Sequence, residues 1–184
     1  MKLGHYGSVA SIQTLSDADR RVIARWAIAC AERVLPLFHA DADASRAIED
    51  AVARTQAYGG GQGGTADAIA KRMVAVKAAG AATTPAGAAA ARSIAQAAAV
   101  PHMAAHALGA AAYAIKAVSL ANLAQPDLVS NEITWQLAEL TEAERAVLRQ
   151  LPALGASSSG PLGPGLLANG ILGSTIREIQ TRIA

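Results

Sequence analysis

PHMAAHALGAAAYAIKAV, residues 101–118, decides the fold class of this chain. It sets two histidines, a glycine, a tyrosine and a lysine into a run that is otherwise alanine, aliphatic residues, a proline and a methionine. At about 100° per residue, His102, His106, Gly109, Tyr113 and Lys116 fall on one stripe. Leu108, Ala111, Ile115 and Val118 fall roughly opposite. That period belongs to a helix, and the spacing predicts one from Pro101 to about Leu123.

The composition around this stretch points the same way. Roughly a quarter of the 184 residues are alanine and only 3% are aromatic. Alanine loses no side-chain entropy in a helix, whereas strands favour the β-branched and aromatic residues that are sparse here. The expected fold is all-α, a compact bundle of about seven helices with no sheet. One helical domain over 1–184 is expected, with residues 1–14 as an N-terminal extension. Residues 152–184 read as a Gly/Pro-rich linker followed by a C-terminal docking helix.

Ser16 with Asp19 has the spacing of a capping box, and the helix it opens is expected to run to about Phe38. Its core face reads Ile23, Trp26, Ala27, Cys30, Val34 and Leu37, and Pro36 should kink or end it. A second helix is predicted over Ala44–Tyr58, followed by GGGQGG at 59–64 as a flexible connection. A third, about Ala66–Ala79, carries Ile69, Met73 and Val76 at helical spacing. Thr84-Pro85 opens a fourth, running to about Val100, and Pro126 opens one to about Leu140. Thr141 with Glu144 caps a short helix to Leu151. Trp26, Cys30, Val34, Leu108, Ile115 and Trp135 are expected to be mostly buried.

From Gln150 to Ile176 there is no charged residue. Exposed, so apolar a stretch would be unusual for a soluble monomer. The tail is therefore expected to dock through Leu166, Leu167, Ile171, Leu172 and Ile176, with a homodimer as the favoured outcome.

A net charge of +2 and the lack of any Lys/Arg run interleaved with aromatics argue against a nucleic-acid partner. The single cysteine, Cys30, excludes an internal disulfide and fits a reducing compartment as a small core residue. The N-terminal MKLGHYGSVASIQTL has no continuous apolar run, so no signal peptide is expected. Prolines and glycines between Gln150 and Ile176, and polar residues between Ala78 and Ala124, argue against a membrane span. The expected location is cytoplasmic.

His102 and His106 stand i, i+4, the separation at which two imidazoles on one helical face share a metal. A third ligand is needed, and spacing nominates none of His5, His39, Asp17, Asp19, Glu32 or Cys30. A hydrogen-bonded polar seam between helices is preferred, with no metal. Together, His102, His106, Tyr113 and Lys116 have the groups for an anion pocket or an acid–base site as well as for such a seam. No nucleophile elbow, phosphate loop or paired catalytic carboxylates stand in the chain, and GGGQGG lacks the strand and spacing of a dinucleotide fingerprint. No catalytic residue and no cofactor are expected.

Three pieces carry a resemblance: LSDADRRVIARWAIACAERVLPLF at 15–38, PHMAAHALGAAAYAIKAV at 101–118 and WQLAEL at 135–140. Over about residues 15–150 the chain resembles the immunity proteins of the Imm-5-like family, assigned to polymorphic toxin systems. Asp19, Arg20, Trp26, Cys30, His102, His106, Tyr113 and Lys116 match the family pattern, while the loop at 59–64 and the tail after Pro152 depart from it. The resemblance implies an all-α protein that protects its producer by binding a cognate toxin, without catalysis. Arg21, Arg25 and Glu32 on the first helix are the expected partner-binding residues, since arginine is favoured at interfaces. The rival readings are an enzyme or small-ligand protein built on the histidine stripe, and a structural homo-oligomer. A nuclease target disagrees with the charge of +2, because masking a basic cleft calls for an acidic partner.

Overall fold

Helix α1 begins where the sequence supplies a cap. Ser16 Oγ accepts from the backbone N–H of Asp19 at 3.0 Å and donates to its carboxylate at 2.8 Å. The computed structural model describes residues 10–184. In order they form α1 (Asp17–Val34), a 3-10 turn (Leu35–Leu37), α2 (Ala42–Gly59), α3 (Thr65–Lys71), α4 (Met73–Ala79) and α5 (Pro85–Ala99). Then come α6 (His106–Ala121), α7 (Pro126–Ala138), α8 (Glu142–Arg149), a second 3-10 turn (Leu166–Ala168) and α9 (Gly170–Ile183). Among the described residues there is no strand. Counting α3 and α4 as two halves of one helix interrupted at Arg72, there are eight helices among the described residues, against about seven expected.

Helix α6 is the axis of the molecule. Every residue from Ala107 to Ile115 is buried, so its polar positions do not form a solvent face. A helix apolar all round belongs inside, and α6 is wrapped by α1, α5, α7 and α9. Alanines make this possible. Ala90, Ala91, Ala97 and Ala98 of α5 and Ala104, Ala107, Ala111 and Ala114 in or beside α6 are buried, and such small side chains let the helices approach closely. Ser93 Oγ uses that proximity to donate to the Ala110 carbonyl at 2.6 Å. Ile23, Ile94, Leu108 and Ile115 are fully buried, each contributing about 1.5–3 kcal/mol of transfer free energy. Trp26 is fully buried and its indole N–H donates to the Gln136 carbonyl at 2.8 Å, which pins α1 to α7.

The tail folds back onto its own chain. Leu162, Leu167, Leu172, Ile176, Ile179 and Ile183 are buried, and α9 lies against α6, α7 and α8. Ile171 is half-buried, and only Leu166 of the expected docking residues stands out, at 68% exposure. Docking within one chain removes the ground on which a homodimer was expected. Gln13, assigned by sequence to an N-terminal extension, is buried and holds the linker: its amide donates to the Ser159 carbonyl at 2.8 Å and accepts from Leu162 N–H at 2.9 Å.

Other boundaries differ from expectation for local reasons. The helix expected from Pro101 starts at His106, because Ala104 and Ala105 donate their backbone N–H groups to Thr14 and Gln13 instead. Trp135 is half-buried, with Arg33 stacked 4.2 Å over its ring. Met73 and Val76 face outward, because α4 buries Ala75, Ala78 and Ala79.

Candidate functional site

The one side-chain amide in alanine-rich α5, Gln96, organises the histidines. It lies against Gly109 of α6, where a Cβ would collide with its amide oxygen. That amide oxygen is 2.8 Å from His106 Nδ1. With the oxygen accepting, the imidazole proton sits on Nδ1 and Nε2 is left as an acceptor. His102 is exposed in the turn before α6, its ring centroid 6.4 Å from that of His106. Gln96, His102, Met103, His106, Leu166 and Leu167 line an open cleft of about 400 Å³ between the α5–α6 corner and the tail.

Both imidazoles are kept neutral. Burial, then the neighbouring His102 and Arg72, pushes His106 down to about 4. His102, though largely exposed, is also lowered, first by partial desolvation of its ring and then by the positive charges of Arg72 and Arg20. At neutral pH the cleft therefore offers uncharged nitrogen acceptors and apolar walls. Tyr113 and Lys116 do not line it. Tyr113 is buried, which raises its phenol, and Lys116 Nζ sits 6.0 Å from the Tyr113 ring centroid. The stripe read from sequence is thus two separate features.

Among the described residues no three His, Cys, Asp or Glu side chains cluster as metal ligands. His5, one of the sequence candidates, lies outside the described residues. Cys30 is fully buried, and burial raises its thiol well above the ordinary range.

The charged row of α1 is tied up internally. Arg21 donates from Nε to Asp17 at 2.8 Å, from Nη1 to the Tyr58 carbonyl at 3.0 Å and from Nη2 to the Gly63 carbonyl at 3.3 Å, and its guanidinium lies 4.4 Å over the Tyr58 ring. It clamps the glycine loop that the sequence left flexible. Asp17 also accepts from Thr65 at 2.7 Å and from Tyr58 at 2.8 Å. Arg21, then Thr65 and Tyr58, hold its carboxyl down to about 2. Arg25 grips Glu144 of α8 through two nitrogens, and Glu32 accepts from the Gln56 amide at 2.7 Å. Each of the three side chains expected to meet a partner thus also has a polar contact within this chain.

Sequence reading passed over two features. Gln96 had a signal, a solitary amide ten positions before His106, whose meaning depends on the α5–α6 contact. The second is a cationic corner where Arg54, Lys71 and Arg72 line a narrow notch beside outward-facing Met73. No periodicity distinguishes that corner from an ordinary solvated face.

No helix among the described residues is long and apolar enough to cross a membrane. Comparison with curated proteins and with solved structures found no match. A family model described as "Imm-5 like putative immunity protein" matches residues 13–143. The match opens on the buried Gln13 and takes in α1 through α7 whole, with the Gln96–His106 pair and the Trp26 anchor inside it. The chain belongs to the Imm-5-like family of immunity proteins.

Proposed function

We propose that this protein binds and neutralises a cognate bacterial toxin in the cytoplasm of its producer, without catalysing a reaction. Family membership over residues 13–143 carries the reading. The charge supports a particular kind of target. A protein of net charge +2 repels a basic nuclease cleft and suits a toxin with an acidic binding face. We place the contact away from the Arg21, Arg25 and Glu32 row, because those side chains hold α1 to the glycine loop, α8 and α2. The chain acts as a monomer in this reading, since its apolar tail is covered by its own helices. Co-expression with any toxin found encoded beside its gene tests the proposal: growth should be restored, and the two proteins should co-purify.

A second reading rests on the cleft. Neutral His106, with Nε2 left as an acceptor, and the apolar wall of Leu167 suit a small ligand that donates a hydrogen bond. Native mass spectrometry of freshly purified protein tests it, a stoichiometric adduct lost in His106→Ala being the supporting result.

A further inference from the structure

Helix α4 is packed the opposite way round from an ordinary surface helix. It turns Ala75, Ala78 and Ala79 inward and leaves Met73, Val74 and Val76 at 58%, 41% and 46% exposure. The alanines let α4 sit close on α2 and α5, so the larger side chains of MVAV have nowhere to go but out. Three large apolar groups within four residues cluster on this one short helix, whereas the other exposed apolar residues, Val22, Leu123 and Leu166 among them, stand singly. Its flanks are cationic. Lys71 and Arg72 precede it, and Lys77 follows with no ion pair among the described residues.

A second, independent observation concerns charge. Beside α4, Arg54, Lys71 and Arg72 line a notch of about 10 Å³, room for about one water-sized oxygen. Nη2 of Arg54 is buried and has no hydrogen-bond partner among the described residues. Lys71 reaches Asp67 at 3.0 Å and Arg72 donates to the Ile69 carbonyl at 2.6 Å, whereas this guanidinium nitrogen goes unmet. With that nitrogen out of solvent's reach, the rest of the half-buried Arg54 side chain, with Arg72 and Lys77, gives the patch a cationic border that suits a carboxylate through charge-assisted bonds.

We propose that α4 and the Arg54 notch together dock an acidic segment of the toxin, one carboxylate seated against Arg54 and adjoining apolar side chains laid on Met73, Val74 and Val76. Arg72 joins the two halves, since it lines the notch and directly precedes Met73. The inference rests on the immunity reading and adds to it the surface and the chemistry of the partner.

The test is calorimetric titration of the full chain with a toxin whose growth arrest this protein relieves on co-expression, that toxin's own activity silenced by mutation. Arg54→Met, Lys77→Glu and the double variant Met73→Ser/Val76→Ser are compared with wild type and with Leu123→Ser, which alters an exposed leucine elsewhere. Each of the first three should weaken binding at least tenfold with an unchanged thermal midpoint, and Leu123→Ser should not. Salt should weaken wild-type binding more steeply than binding by Arg54→Met. If Arg54→Met folds poorly, the surface variants at 73, 76 and 77 decide the matter. Wild-type affinity in those variants overturns the surface and leaves the immunity reading standing. A wild type that relieves the arrest of no toxin encoded beside its gene, or relieves it without binding, overturns that reading and the surface with it. Binding of the wild type to phosphatidylglycerol vesicles, lost in Arg54→Met, with toxin affinity unaffected, would show a membrane surface instead.

Discussion

Arg25 holds Glu144 with two nitrogens, Nε to one carboxylate oxygen at 2.7 Å and Nη2 to the other at 2.5 Å. The same carboxylate closes the capping box of α8 by accepting from Thr141 N–H at 2.8 Å. Its side chain is only 2% exposed, and the pair raises the already high basicity of Arg25. One glutamate thus starts a helix and ties it to α1.

Removing that carboxylate should therefore cost more than a surface ion pair. Glu144→Ala loses the cap and leaves half-exposed Arg25 without its carboxylate. We expect a loss of about 3 kcal/mol in urea denaturation, from the cap and the partly buried pair together. Glu142→Ala, whose pair with Arg149 is exposed, should cost well under 1 kcal/mol.

Two glycines should respond differently to alanine. At Gly173 a Cβ would run into the Ala168 carbonyl, which is backbone and cannot swing aside. Gly173→Ala should destabilise by about 1–3 kcal/mol and loosen α9 in hydrogen exchange. At Gly109 the obstructing atom is the mobile end of Gln96, and alanine brings about 1 kcal/mol of helix propensity in return. Gly109→Ala should change stability little. It should instead break the Gln96–His106 hydrogen bond and move the His106 pKa, read by NMR titration.

Histidine burial sets a pH window. The folded pKa of His106 is lowered to about 4 from an ordinary 6.5, so the unfolded chain binds more protons between those values. Stability from this group is fully present above pH 6.5 and is lost as the pH falls toward 4, up to about 3 kcal/mol in all. His106→Gln should flatten that slope. Asp17 acts in a lower window: its contribution is lost between about pH 3.8 and 2. A stability profile that is level from pH 7 to 4.5 in the wild type would contradict the burial of His106.

Cys30 offers a simple check on the core. It is fully buried and its thiol is raised by that burial. A thiol reagent should label it at the rate of global unfolding, not faster, and labelling should become immediate in concentrated urea.

Much of the fold was legible because caps and breakers act locally. Ser16, Thr84-Pro85, Pro126 and the Thr141–Glu144 box each start the helix that the sequence assigned to them. The start of α6 was hidden because the backbone of Ala104 and Ala105 bonds to residues some ninety positions away. The inversion of α4 was hidden for a different reason. Met73, Val76 and the alanines all keep helical spacing, and only the tightness of the α2–α5 groove decides which set goes inside. The ring centroids of His102 and His106 lie 6.4 Å apart, but His102 stands in the turn before α6 and not on its face as the i, i+4 spacing implied. Tyr113 left the group because α6 is buried around it.

The central claim is protection by binding, without catalysis. It is tested most directly by growth of cells expressing a toxin encoded beside its gene together with wild-type protein or with His102→Ala/His106→Ala. We predict equal rescue by both forms, with the toxin recovered intact in a complex with the protein. No rescue by the wild type, or rescue lost in the double variant with the toxin chemically altered only by the wild type, would contradict it.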